Sequence, residues 1–109
     1  MDGPGYDPDS LTGLAAAGAQ VIIFTTGRGN PIGFPLVPVI KVISTSQAYR
    51  QLEDDMDVNA GVVLEGRSLE AVGGEIYDLL GRVVNGELTK AEINKQEGIL
   101  CVYTQNASL

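Results

Sequence analysis

The 109-residue chain has no histidine, no tryptophan and a single cysteine, Cys101. Without histidine, a Ser-His-Asp triad, a Cys-His pair and a His-ligated metal are all excluded within this chain. A general base must then be Asp, Glu, Lys or Tyr. Any metal would be held by carboxylates, amides or water, which suits hard or borderline cations. A lone cysteine forms no intrachain disulfide, which fits a reducing, cytoplasmic setting. Cys101 sits in the apolar run 99–102 and reads as a small core residue. Aromatics make up only 6% of the chain, so the core must be aliphatic.

Positive charge is also scarce. Seven Lys and Arg face 14 Asp and Glu, a formal net charge of -7. Binding nucleic acid requires a surplus of cations to displace counterions, so that class is excluded, and a membrane-surface role is disfavoured for the same reason. No apolar run approaches the ~18 residues of a membrane span. The start, Met1-Asp2-Gly3-Pro4, lacks the positive and apolar parts of a signal peptide.

What is present suits one small domain over residues 1–109, with 44% hydrophobic residues and 14 glycines. Residues 1–8 read as an irregular lead-in and 104–109 as a flexible tail. Asp9 or Ser10 is placed to cap a short helix over 11–17, stopped by Gly18. The run 20–26 reads as a strand covered on both faces, because its apolar residues do not alternate. A loop over 27–38, stiffened by Pro31, Pro35 and Pro38, leads to a second buried strand at 39–44. A short helix over 46–52, an acidic turn at 53–57 and a short strand or extended segment at 62–64 follow. Ser68 caps the clearest helix, which runs to about residue 85 with Leu69, Val72, Ile76, Leu79 or Leu80 and Val83 on one face. A helical turn over 89–95 and a last strand at 99–103 complete the chain. The expected class is α/β: a small layered domain with a largely parallel sheet of about three to five strands, flanked by helices on both faces.

Three groups carry candidate chemistry. The strand at 20–26 ends in Thr25-Thr26-Gly27-Arg28-Gly29-Asn30, a polar, glycine-rich loop centred on a cation. Glycines let backbone N–H groups approach an anion, the threonines offer hydroxyls, and Arg28 offers a planar fork suited to a carboxylate. The glycine spacing does not match a dinucleotide fingerprint, and another strand follows where that fingerprint needs a helix. A structural turn with a solvated arginine is the competing account. Lys41 lies inside Val39-Ile40-Lys41-Val42-Ile43, where charge is expensive unless paired. It either snorkels at a sheet edge or engages an acid or a substrate, and a desolvated lysine acts as a base near neutral pH. Asp54, Asp55, Asp57 and Asn59 gather oxygen ligands within a short span, without the spacing of an EF-hand. A run of acids is as readily a solvated surface.

Three blocks of the chain, taken in order, resemble the C-terminal region of the altronate/galactarate dehydratase family. They are Phe24 through Pro31 (FTTGRGNP), Pro38 through Val42 (PVIKV) and Asp54 through Gly61 (DDMDVNAG). The lead-in MDGPGYDP and Leu64-Glu65-Gly66 are similar to that family too. The resemblance implies a domain of a longer, cytoplasmic enzyme that removes water from sugar acids with a divalent metal, commonly iron(II). Partner domains of the same polypeptide and a homodimer are both open to it. It also implies that ligands for the metal come partly from upstream. A related branch resembles sulfolactate sulfo-lyase large subunits. In this setting Arg28 would clamp the substrate carboxylate, while Thr25, Thr26, Gly27, Gly29 and Asn30 would line the substrate. Lys41 would act as base or steady enolate-like charge, and Asp55 or Asp57 would help with metal or orientation. A structural or dimerisation domain with little direct catalytic part is the alternative from another class, and a small-anion binding module a third.

Overall fold

A computed structural model of the protein describes residues 5–96. Its centre is a parallel sheet of three strands, β1 (Ile22–Thr26), β2 (Val39–Ile43) and β3 (Val58–Asn59), in the order β1-β2-β3. Four helices accompany it: α1 (Asp7–Ala16), α2 (Ser46–Gln51), α3 (Leu69–Val84) and α4 (Lys90–Ile93). The class is the α/β arrangement expected from the sequence.

All five β2 side chains are buried. Alternation along the strand sorts them between two cores. Val39 joins Leu11, Ile22, Phe34 and Val37 on the α1 side, and Ile40 and Val42 join Val58, Leu79 and Val83 on the α3 side. Helices therefore cover both faces. Lys41 points to the same side as Val39, the side crossed by the loop 27–38. That loop is the crossover between two parallel neighbours, a position where a helix is usual. Its backbone polar groups must then find partners outside regular structure.

Several boundaries move. Helix α1 begins at Asp7 rather than near residue 11, with Pro8 in its first turn and no side-chain cap. Proline suits that turn because its missing N–H would have no helical partner there, and Asp7 and Asp9 favour the positive end of the helix. Strand β1 is not covered on both faces: it is the edge strand of the described sheet, and Ile23 is 44% exposed. The segment 62–64 is not a strand. It lies in a 3-10 helix, Ala60–Glu65, and the third strand is Val58–Asn59 just before it. Asn59 starts that helix by accepting the Gly61 N–H on its side chain. Gly61 is needed here, since a Cβ would strike the Ser46 amide and the Thr45 backbone.

Helix α3 has the expected cap, with Ser68 accepting from the Ala71 N–H. Val72, Leu79 and Val83 are buried, while Leu69 at its start is 71% exposed. Helix α4 opens with a reciprocal capping box between Thr89 and Glu92. The expected strand at 99–103, Cys101 within it, and the tail lie outside the described residues. Among the described residues, no helix is long and apolar enough to cross a membrane.

Candidate functional site

Register aligns the carboxyl ends of the three strands: Thr26 lies opposite Ile43, and Ile43 opposite Asn59. In open parallel sheets this rim is where ligands bind, because the loops that leave it diverge and free a crevice. Here it is rich in small polar groups. Thr25, Gly27, Arg28, Ser44 and Thr45 are exposed, and Thr26, Ser46 and Asn59 are half-buried.

The turn that carries Arg28 is fixed at three points. The Thr26 hydroxyl accepts the Gly29 N–H at 3.0 Å, and the Thr45 hydroxyl donates to the Gly27 carbonyl at 3.2 Å. Gly29 has φ +97°, and a Cβ there would collide with the Leu52 side chain. The backbone is thus held while the Arg28 side chain stands in solvent. It makes no hydrogen bond or ion pair with any described residue. Arg67 and Arg82, by contrast, pair with Glu75 and Glu87 on the surface.

Lys41 has another setting. Its residue is 0% exposed, and its ammonium donates to the Asn30 carbonyl at 2.7 Å. The Asn30 side chain extends the link, donating to the Asp7 carboxylate at 2.7 Å and accepting the Ile32 N–H at 2.9 Å. On the other side of Lys41, its backbone N–H donates to Asp57 Oδ2 at 2.7 Å, and Asp57 Oδ1 accepts the Lys90 N–H at 2.9 Å. One polar chain, Asp7–Asn30–Lys41–Asp57–Lys90, therefore ties α1, the loop, β2, the acidic turn and α4 together. Burial lowers the Lys41 pKa from 10.5 to about 8, although the Asp57 and Asp55 charges act the other way. Burial likewise raises the Asp57 carboxyl, against the two amide bonds and the two lysine charges.

The structure thus brings Thr26, Gly27, Arg28 and Gly29 to the rim, and Lys41 to the underside of the same loop. Asn30, two residues beyond Arg28, is the link between them. The guanidinium and the ammonium do not face one hollow in this arrangement: one is exposed, the other closed over. Asp55 and Asp57 belong to the acidic turn, which α4 braces. Lys90 donates to the Glu53 carbonyl at 3.1 Å and Asn94 to the Asp54 carbonyl at 2.6 Å, with Asp55 a longer 3.4 Å from Asn94. Among the described residues, no three acids or cysteines gather as a metal site. Two hollows, of about 280 and 380 Å³, lie against α4 and are lined by none of Thr25, Thr26, Arg28 and Lys41. We place the candidate site at the rim, because the exposed cation and the hydroxyls are there.

Two rim residues were not singled out as ligand contacts from sequence, Ser46 and Glu65; they meet each other, and Ser46 also meets Asn59, which the sequence offered only as an oxygen ligand beside the acidic turn. The Ser46 hydroxyl donates to Glu65 Oε2 at 2.9 Å and accepts from Asn59 Nδ2 at 3.1 Å. The signal for Ser46 was the run Ser44-Thr45-Ser46 after a buried strand, much as Thr25-Thr26-Gly27 closes β1, whereas Glu65 is brought in only by the fold.

Comparison with known proteins agrees with the resemblance seen in the sequence. Residues 1–107 match the family model described as D-galactarate/altronate dehydratase, C-terminal. The altronate dehydratase of Bacillus subtilis is 37% identical over 95 residues, covering 86% of this chain and 19% of that protein. The galactarate dehydratase (L-threo-forming) of Escherichia coli is 38% identical over 77 residues, covering 70% of this chain and 15% of that protein. The (2R)-sulfolactate sulfo-lyase subunit beta of Chromohalobacter salexigens is 34% identical over 93 residues, covering 84% and 24% respectively. The chain thus spans a quarter or less of the length of these relatives. With a family match over nearly its whole length, the chain belongs to the D-galactarate/altronate dehydratase C-terminal family.

Proposed function

We propose that this chain is the C-terminal domain of a cytoplasmic hydro-lyase that dehydrates an altronate- or galactarate-type sugar acid to a 2-keto-3-deoxy acid. In this reading the domain meets its substrate at the carboxyl rim of the sheet. The observation that carries it is Arg28: an exposed guanidinium on a backbone turn fixed by Thr26 and Thr45, in a chain of this family.

The chemistry sets the requirements. Water leaves a 2,3-dihydroxy acid when the proton beside the carboxylate is removed and the neighbouring hydroxyl departs. That proton is weakly acidic until the carboxylate charge is offset. Arg28 supplies the offset with two parallel N–H donors. Thr25 and Thr26, with the backbone of Gly27, Gly29 and Asn30, hold the polyol beside it. Lys41 takes the proton or steadies the enolate-like charge. Either role needs Asn30 and the loop beyond it to shift while the turn at 27–29 stays pinned, so that the amine exchanges the Asn30 carbonyl for substrate.

We assign a divalent metal, iron(II), to the complete enzyme rather than to this domain. The described residues do not fit it alone: no three ligating side chains converge, and both Asp57 oxygens already accept backbone N–H bonds. Of the two acids offered from sequence, Asp55 would add to a ligand set completed by the remaining domains of the polypeptide, while Asp57 stays with its two backbone bonds. A second reading, sulfite release from sulfolactate, is favoured by the 34% identical sulfo-lyase subunit. Arg28 would meet a carboxylate there as well.

The test is the complete enzyme, assayed on altronate, galactarate and sulfolactate with and without ferrous iron, beside the isolated chain. We expect iron-dependent dehydration of a sugar acid by the complete enzyme and none by the isolated chain. Sulfite release without dehydration would select the second reading, and turnover of nothing in the panel would overturn both.

A further inference from the structure

We infer that Ser46, oriented by Asn59 and Glu65, is a specificity-determining residue that accepts a hydrogen bond from a non-reacting hydroxyl of the substrate. The inference rests on the sugar-acid reading of the rim and names which groups recognise the polyol.

Position comes first. Ser46 opens α2, two residues beyond the end of β2 and beside the aligned carboxyl ends of the strands. The turn bearing Arg28 abuts the same segment: Thr45 holds the Gly27 carbonyl, and the Ser44 hydroxyl lies 3.6 Å from where a Cβ on Gly27 would stand. A row of three hydroxyls therefore begins beside the guanidinium turn and runs toward β3.

Orientation comes second. A serine hydroxyl has one donor and two acceptor positions. Ser46 gives its proton to Glu65 at 2.9 Å, well inside the 3.5 Å to the Asn59 oxygen, and uses one acceptor position on the Asn59 amide nitrogen at 3.1 Å. Asn59 is itself set, because its Oδ1 accepts the Gly61 N–H at 2.9 Å, which leaves its amide nitrogen to face Ser46. The absent side chain of Gly61 lets the β3 end come this close to the start of α2. The rotor is thereby fixed with one lone pair left to accept. The Thr45 hydroxyl has likewise given its proton to Gly27 and retains acceptor capacity.

Complementarity comes third. The rim pairs a group that only donates, Arg28, with groups that now only accept, Ser46 and Thr45. A polyhydroxy acid presents the mirror image: a carboxylate that only accepts, followed by hydroxyls that donate. A site with fixed acceptors rejects analogues lacking the matching hydroxyl, since its polar groups are then left unpaired.

The experiment uses the complete enzyme with its preferred sugar acid and a set of analogues, each lacking one non-reacting hydroxyl. Ser46→Ala should lower kcat/KM on the parent acid roughly tenfold, mainly through KM. On the one analogue lacking the contacted hydroxyl, that penalty should vanish. Glu65→Ala, at an exposed position, should show the same dependence on analogue with a smaller loss, and it carries the test if the serine variant does not fold. Equal losses on every analogue, or no loss at all, would overturn the role of Ser46 while the wild-type enzyme still dehydrates the parent. A wild-type enzyme that dehydrates no sugar acid overturns the reading underneath, and this inference with it.

Discussion

The two faces of the loop 27–38 treat positive charge in opposite ways. On its outer side Arg28 is exposed and unpaired among the described residues, yet the backbone beneath it is pinned by Thr26 and Thr45. On its underside Lys41 is fully buried and partnered, within a chain that joins five elements. Fixing a backbone while leaving a side chain unpartnered prepares a group for something outside the domain. Burying an ammonium under a carbonyl holds a loop that has no helix to satisfy its backbone. Under the proposed function, recognition falls to the rim and positioning to the polar chain, and catalysis by Lys41 would need the second to open.

The largest effect should come from Lys41→Ala. It removes the donor to Asn30 and leaves a cavity beside β2, a loss of about 3 kcal/mol in chemical denaturation, while the two backbone N–H bonds to Asp57 remain. Lys41→Met keeps the volume and should lose only about 1 kcal/mol, mostly from the orphaned Asn30 carbonyl. In hydrogen exchange, loop 27–38 should lose protection in both variants. A loop left fully protected would show that the ammonium does not hold it.

Next is Asp57→Asn. Both carboxylate oxygens accept backbone N–H groups, from Lys41 and Lys90. An amide has one oxygen, so its NH₂ would face a second donor, at a cost of about 2 kcal/mol. Stability equal to wild type would break the link between β2 and α4 as drawn here.

How much of this was legible beforehand follows from the range of the interactions. The Arg28 loop, the buried β2 and the stripe on α3 rest on local pattern, and the sequence displayed them. Val62, Val63 and Leu64 misled because three apolar residues do not separate a strand from a tight helix, and Asn59, whose side chain starts that helix, gives no apolar signal. The edge position of β1 was hidden as well, since an apolar run does not say how many neighbours a strand has. The polar chain could not be read at all. Asn30 meets Asp7 across 23 residues and Asp57 meets Lys90 across 33. Only the fold brings them together.

A smaller effect concerns pH. The folded state lowers the Lys41 pKa to about 8 from 10.5, so between these values the unfolded chain binds more protons than the folded one. Stability attributable to Lys41 should therefore rise with pH across that window, since the cost of burying the charge, present below pH 8, is relieved as the proton leaves. The slope is at most about 1.4 kcal/mol per pH unit. Denaturation of wild type and Lys41→Met between pH 7.5 and 9.5 isolates it: the difference between the two should change in favour of wild type. Parallel curves would mean that the ammonium is not desolvated.

The most direct measurement is the activity of Arg28→Ala in the complete enzyme, read beside its thermal midpoint. We predict a fall in kcat/KM of about a hundredfold, a midpoint unchanged to within about 2 °C, and only partial recovery with Arg28→Lys, whose ammonium lacks the two-pronged fork. Turnover at the wild-type level in Arg28→Ala would contradict the rim as the place where the substrate carboxylate is held.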